Sequence, residues 1–390
     1  MKHLQTKYNL LHLFFWTAFA YTNGYMTIYL QTKGLSNTQV GIVTGGCCIL
    51  SVLASPVISS LLQQIRWLTV RTLIALLELS ILFGYAAVTY LPLPVPVIII
   101  IYTALACLGV SCNPLLSSIS MQYNKMGHSV NFGIARGLGS AGYAVMILVI
   151  AQILNHTSLN IMPVLFTVFL VPLLFVLRSL PDFHYEAVPK GEGSLFYIIR
   201  KYHILFIILL GFALDFAGAC TTSTYLIDIV RDLGGTTTAY SVAVFFMAFG
   251  ELPAMAAAPV LMKKMNLFSI VLMSGFFYLF RNLLVAFAPV LPLVFLGMMF
   301  QSVTYGFLYA AIVYYAGTVC EKRDEILGQT LITVMTSGFG SMTGNLLGGF
   351  LQDHFGMSAM KAFVLAVTLL GSLILTGVGL HYRRAEAAAD

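Results

Sequence analysis

Charge is what this chain has least of. Its 390 residues include 20 Lys and Arg and 14 Asp and Glu, so 9% are charged, against about 25% in a soluble domain. That scarcity excludes a water-soluble enzyme or binding module. No Gly-rich loop of the Walker type ends in a lysine, and no polar domain is present to hold one, which argues against ATP-driven transport. The apolar runs hold no nucleophile–base arrangement, which argues against hydrolysis within the membrane. Six cysteines (Cys47, Cys48, Cys107, Cys112, Cys220 and Cys320) fall within or at the ends of apolar runs, none at metal-ligand spacing with His. They are read as packing residues, and no metal or cofactor is expected. No cleavable leader is expected either: the apolar run from about Leu10 to Leu30 is too long for an h-region and lacks a small-residue cleavage site.

What is there is apolar surface in long unbroken stretches. Hydrophobic residues make up 59% of the chain, and the runs are continuous over the length of a membrane-spanning helix, with no short alternating segments of the kind a barrel needs. The reading is an all-α polytopic membrane protein of twelve transmembrane helices. The spans fall near residues 9–31, 38–62, 71–91, 94–121, 130–154, 160–178, 203–230, 237–262, 266–288, 291–317, 326–352 and 356–381. Basic residues gather in every second loop and at both ends, whereas the opposite side carries only Lys33, Arg231 and Lys361. By the positive-inside rule both termini are cytoplasmic. The net charge of +6 is therefore topological, and no nucleic-acid partner is expected.

One long polar connection divides the chain into an N-terminal six-helix bundle (1–180), a cytoplasmic linker (181–202) and a C-terminal six-helix bundle (203–390). The halves look like repeats. Gly137-Leu138-Gly139-Ser140 recurs as Gly338-Phe339-Gly340-Ser341, and Tyr29-Leu30 is echoed by Tyr225-Leu226. Glycines at four-residue spacing, such as Gly133 and Gly137 or Gly340, Gly344 and Gly348, mark close helix contacts.

Four ionisable residues lie well inside spans: Arg136, Asp215, Glu251 and Arg281, with Glu78 nearer the cytoplasmic end of its span. A charge at that depth costs several kcal/mol unless it faces a partner or an aqueous cavity. Arg136 and Tyr143 are two helical turns apart and share one face, a guanidinium near an aromatic ring that suits a hydroxylated ring or a carboxylate. Glu251 can accept from a substrate hydroxyl, carry a proton or neutralise an arginine, and Asp215 is the other candidate proton carrier. Arg281 is expected to snorkel, to pair with Asp215 or Glu251, or to contact substrate. Tyr21, Tyr25, Gln301, Thr304 and Tyr305 outline an aromatic, polar pathway. Ser337 stands where the repeat would place a second Arg136, so the fold does not itself demand a charge there. Arg136 is therefore assigned to substrate, with Glu251 as its expected opposite.

Two segments carry a resemblance. Tyr29-Leu30-Gln31-Thr32-Lys33-Gly34-Leu35-Ser36-Asn37-Thr38-Gln39-Val40-Gly41 and Phe132-Gly133-Ile134-Ala135-Arg136-Gly137-Leu138-Gly139-Ser140-Ala141-Gly142-Tyr143 resemble the major facilitator superfamily. Within it they resemble the branch of lactose permease, the nucleoside–proton symporters and the phenylpropionate permease-like proteins, and Gly250-Glu251-Leu252 is similar to lactose permease too. The resemblance implies two pseudo-symmetric bundles and a central site reached by rocking alternating access. It also implies roles: Arg136 binds sugar, Tyr143 stacks on the ring, Glu251 takes a sugar hydroxyl and Arg281 serves proton coupling.

The chain departs from that pattern in ways that matter. Ser117 and Ser118 occupy the region of the family's span-four glutamate, and Gln301 and Thr304 replace the histidine and glutamate of its proton relay. Gln63 stands where the cytoplasmic loop motif has aspartate, and the span-five glycine–proline motif of drug exporters is absent. These departures argue against lactose and against export. The expected activity is proton-coupled uptake of a small polar solute, a saccharide or a nucleoside. Substrate is expected at Arg136, Tyr143, Glu251, Tyr21, Tyr25, Gln301, Thr304 and Tyr305, and protons at Glu251, Asp215 and Arg281. One alternative is uptake of an aromatic or other organic anion held by Arg136; another is a non-transporting receptor or scaffold of the same fold. The expected setting is the cell inner membrane, with a monomer surrounded by lipid.

Overall fold

Apolar runs of this length have one economical solution in a bilayer, because each backbone N–H and C=O must find its partner within the segment. The computed structural model describes residues 3–65, 67–182, 195–322 and 324–387, without the side chains of Pro56, Ser59, 251–263, Ser302, Ala310, Ile326 and 383–387. Every regular element among the described residues is helical. Nine described helices are long and apolar enough to cross a membrane. The other three predicted spans are helical as well, though not among these nine. Span 9–31 is interrupted by a π turn at Ala20–Gly24, and span 326–352 by another at Val334–Gly340. Span 237–262 falls on a helix whose described apolar part is Thr237–Gly250.

The chain divides into two units, Met1–Leu35 with Ile42–Val188, and Ser36–Gly41 with Pro189–Asp390. The first holds α1 (Leu4–Phe19), α2 (Met26–Thr32), most of α3 (Asn37–Gln64), α4 (Val70–Tyr90), α5 (Val95–Lys125), α6 (Phe132–Leu154) and α7 (Met162–Ser179). Side-chain caps start α4 and α6, where Thr69 accepts from Thr72 N at 3.4 Å and Asn131 from Ile134 N at 3.1 Å. Helix α1 packs on α6 and α7, and α4 on α5 and α7. The α1–α6 approach runs through Gly139 and Gly142. A Cβ at Gly139 would lie 3.1 Å from the His12 carbonyl, and one at Gly142 would lie 2.6 Å from Leu13 Cδ1. Of the expected pair Gly133 and Gly137, a Cβ on Gly133 would meet its own cap, Asn131.

The second unit holds α8 (Leu195–Lys201), α9 (His203–Thr224), α10 (Leu226–Asp232), α11 (Thr237–Lys264), α12 (Leu267–Phe287), α13 (Leu291–Met299), α14 (Phe307–Val319), α15 (Glu325–Thr333), α16 (Ser341–Phe355) and α17 (Met357–Ala387). Helix α9 is its centre and packs on α12, α16 and α17. Gly340, Gly344 and Gly348 step along α9 against Ala213, Ala217 and Thr221, so here the four-residue spacing is a packing stripe. The linker expected over 181–202 includes residues 183–194, which lie outside the described residues. Its last part forms α8, whose Ile198 is fully buried in the core of the second unit. Lys201 at the end of α8 lies 2.6 Å from Glu321 and 2.7 Å from Asp324, and Tyr202 donates to Asp324 at 2.9 Å. Asp324, then Glu321, hold the Lys201 ammonium above the ordinary lysine range.

The internal repeat is visible in the backbone, in a different register from the Tyr29/Tyr225 match. Helix α1 with its π turn breaks at Tyr25 (φ −112°, ψ 13°), and α9 breaks at Tyr225 (φ −99°, ψ 20°). Each break leads into a seven-residue helix, α2 or α10. Each of these is followed by a left-handed glycine, Gly34 (φ 87°) or Gly234 (φ 75°). Helices α3 and α11 then begin at Asn37 and Thr237 and run for 28 residues each. Tyr225 thus corresponds to Tyr25, and Tyr29 to Ile229.

Candidate functional site

A polar cluster containing an arginine lies inside the described helices of each unit. In the first, Arg136 sits one turn inside α6 and is half-buried. Its guanidinium lies 3.8 Å from the centre of the Trp16 ring, and Nη1 donates to Ser140 Oγ one turn along the same helix. A planar, delocalised cation on an indole face is the arrangement that suits arginine and not lysine. One turn before Trp16 on α1 is His12, 1% exposed, held edge-on between Tyr8 (4.7 Å) and Phe132 (5.6 Å). Both His12 ring nitrogens and Trp16 Nε1 are buried without a hydrogen-bond partner. Tyr143 extends the same face of α6: a Cβ on Gly24, in the π turn of the first span, would lie 3.1 Å from its hydroxyl. The face shared by Arg136 and Tyr143 is therefore the one that meets the first span.

Tyr21 and Tyr25 do not line this cluster. Tyr21 is 1% exposed, donates to Met146 Sδ at 3.0 Å and stacks on Phe169. Tyr25 is fully buried and donates to the Ile147 carbonyl at 3.1 Å. Both hydroxyls are spent on α6, as buried tyrosines require, so these are packing positions. Glu78 corrects another expectation. It lies near the middle of the 21-residue α4 and is 3% exposed, beside Cys112, so it is a deep carboxyl and not an interfacial one.

In the second unit Arg281 is wholly buried, which rules out snorkelling. Nη1 donates to Asn282 Oδ1 (2.6 Å) and Thr222 Oγ1 (2.8 Å), Nη2 donates to Ser223 Oγ (3.1 Å), and Nε has no partner. Among the described residues no carboxylate reaches Arg281. Its link to Asp215 is indirect: Asn282 Nδ2 donates to the Asp215 carbonyl (3.2 Å) and to Thr368 Oγ1 (2.8 Å). The Asp215 carboxylate is fully buried and accepts from Ser372 Oγ at 3.1 Å, a hydroxyl that also lies 2.8 Å from Gly275 O. Glu251 is in α11, but its side chain lies outside the described residues.

Gln301, Thr304 and Tyr305 occupy a π turn, Ser302–Gly306, and the residue before it. Gln301 Oε1 is buried without a partner, a group able to accept from a ligand. Thr304 donates to its own helix, to Gln301 O at 3.1 Å. Tyr305 stacks between Phe216 (5.1 Å) and Tyr309 (5.2 Å). Sequence reasoning missed His12, Trp16, Ser140, Asn282 and Ser372. Trp16 carried a signal, being one of two tryptophans and four residues from His12.

Comparison with known proteins came to the same fold. Residues 5–365 match the MFS_1 like family. Maltose permease of Geobacillus stearothermophilus is 24% identical over 378 residues, 95% of this chain and 93% of that protein. The uncharacterized transporter YwbF of Bacillus subtilis (strain 168) is 24% identical over 361 residues, 91% of this chain and 87% of that protein. Among solved structures, the nucleoside transporter NupG superposes with a TM-score of 0.75 at 16% identity, covering 97% of this chain and 98% of that one. A bacterial homolog of the human lysosomal transporter Spinster, inward-facing and unoccupied, gives 0.66 at 13% identity, covering 97% and 95%. These relatives are transporters, not enzymes.

Proposed function

The chain belongs to the MFS_1 like family and is a multi-pass membrane transporter of a small molecule, and from that premise we propose proton-coupled uptake of a saccharide or nucleoside. The observation that carries the reading is Arg136, stacked on Trp16 with Tyr143 two turns farther on the same face. A guanidinium fixed on an indole presents its N–H edges in a defined plane, and hydroxyl pairs of a sugar or ribose are acceptors of matching geometry. His12 and Trp16 Nε1, buried and unpartnered, add donors beside it. Glu251, Gln301 and Tyr305 complete the proposed substrate set. The sugar named in maltose permease and the nucleoside in NupG agree with such a ligand.

Asp215 is the proposed proton carrier, with Glu251 as the second carboxyl and Arg281 and Asn282 holding the polar frame around it. Transport proceeds by rocking of the two bundles. The protein acts as a monomer in the cell inner membrane, with both termini cytoplasmic, in line with the distribution of Lys and Arg.

The test is substrate-induced alkalinisation outside proteoliposomes, with the substrate found by screening labelled saccharides and nucleosides for uptake. Uptake of a neutral sugar or nucleoside with a matching pH rise supports the proposal. Uptake without proton movement removes the symport. If organic anions displace the ligand while neutral sugars do not, Arg136 serves a carboxylate instead. In Asp215→Asn the expected outcome is downhill uptake with the pH rise lost.

A further inference from the structure

A cavity of about 890 Å³ lies between α12 and α17. Its walls are Leu272, Met273, Phe276 and Leu279 from α12 and Leu369 and Leu373 from α17. Phe276 (63%) and Leu373 (67%) are among the more exposed large hydrophobics of the chain, so the groove opens outward. One end only is polar, where Lys264, Asn266 and Ser269 form the mouth. The floor is Gly275 and Ser372, and a Cβ on Gly275 would lie 3.4 Å from the Ser372 carbonyl, so the two helices touch beneath the groove.

We propose that this groove is a binding site for an anionic phospholipid, with its head group at Lys264 and one acyl chain laid along α12 and α17. Length supports this occupant. Asn266 and Leu279 bound the groove along α12, about 20 Å apart at 1.5 Å per residue. One leaflet, head-group region included, is about 20 to 22 Å deep. The groove therefore runs the depth of one leaflet and puts its cation at head-group level. Charge supports the anionic class. Lys263 and Lys264 are adjacent in sequence, and no Asp or Glu occurs between Glu251 and Glu321, or between Asp353 and Glu386. Neither helix offers Lys264 a carboxylate along the groove, whereas a phosphate with net negative charge would meet it directly. The floor gives the site a consequence, because Ser372 is the hydroxyl that binds Asp215, and a lipid in the groove lies one side chain from that carboxylate.

The experiment uses the full-length protein in vesicles of phosphatidylcholine containing either brominated phosphatidylglycerol or brominated phosphatidylcholine. The readout is fluorescence of Leu373→Trp, corrected for the parent protein. Brominated phosphatidylglycerol is expected to quench with about fivefold higher relative affinity, the preference one basic side chain supplies at a membrane surface. Adding Lys264→Glu should abolish the preference while leaving elution and melting unchanged, since Lys264 is exposed. Thr376→Trp serves as a second reporter should Leu373→Trp fold poorly. Equal quenching by the two lipids overturns the proposal, as does a preference that survives Lys264→Glu. Absence of quenching by either lipid means another chain covers the groove, and overturns it as well.

Discussion

The two units solve the same problem, a cation inside an apolar helix, in opposite ways. Arg281 is fully enclosed, and hydroxyls, an amide oxygen and a thioether surround its head. Arg136 is half-buried and lies on a tryptophan, fixed by one serine on its own helix. A charge caged on all sides by protein is committed to structure. A charge supported on one face and half-buried stays partly accessible to a ligand. The difference teaches that depth and residue type alone do not mark a binding arginine; what separates the two is how much of the head group the fold consumes.

The comparison breaks first if Arg281 proves dispensable. Arg281→Ala leaves Thr222, Ser223 and Asn282 without their donor, and unsatisfied buried polar groups cost about 1 to 3 kcal/mol each. The expected loss is about 3 to 5 kcal/mol, read as a fall in the melting temperature of the purified protein. Arg281→Lys should recover little, since one ammonium cannot reach acceptors spread around a planar fork. A variant that melts like the parent would mean water or lipid takes over the cage, and the contrast with Arg136 would lose its basis.

Arg136→Ala should do the reverse. Hydrogen bonds to a charged group are worth about 1.5 to 3 kcal/mol, so uptake in proteoliposomes should fall about 10- to 100-fold. Melting should move little, because the head group is already partly accessible. Arg136→Lys should not rescue uptake, as an ammonium does not lie flat on Trp16. A large loss of stability with modest loss of uptake would place Arg136 beside Arg281 as a structural cation.

How much of this was legible in the sequence follows from the same physics. Helix number and class come from apolar run length, which is a local property, and so does the shared face of Arg136 and Tyr143, seven residues apart. The choice of neighbour is not local. Nothing in the order of residues says that the hydroxyls of Tyr21 and Tyr25 would be used by Met146 and Ile147, or that Gly139 and Gly142 would meet α1. Arg281 was read as a charge in need of a carboxylate, because a sequence lists charges more plainly than it lists neutral acceptors. The repeat was read from Tyr29-Leu30, but short identities mislead where backbone breaks at Tyr25 and Tyr225 set the register.

A smaller effect sharpens the first-unit half of the contrast. If the Trp16 ring supports Arg136, Trp16→Leu keeps an apolar side chain against Gly139 and removes the cation–π contact, worth about 1 kcal/mol at a partly exposed site. The Michaelis constant for uptake should rise about fivefold with the maximal rate held. Trp16→Phe should restore part of the loss, because a smaller aromatic face still attracts the cation. Equal behaviour of the Leu and Phe variants would show that the ring only fills space.

The smallest effect concerns a charge at a helix end, where water does most of the solvation and the cost of charge falls away. Asp353 of α16 accepts from the backbone N–H groups of Asn37 (3.1 Å) and Thr38 (2.6 Å) at the start of α3. Partial burial pushes this carboxyl up, but the hydrogen bonds from Thr38, Ser36 and Asn37 together outweigh it and hold it below the usual aspartate range. A carboxyl lowered in the folded state stabilises above the unfolded value of about 3.9, and that contribution disappears as pH falls through the folded value. Asp353→Asn should therefore lower stability at pH 7 by about 1 kcal/mol or less, discounted because the site is largely in solvent. The gap between variant and parent should narrow as the pH of a melting series drops through 4 towards 3. A gap that stays constant over that range would mean the amide loses shape at the helix end and not charge, and the contrast between enclosed and supported charges would then rest on the two arginines alone.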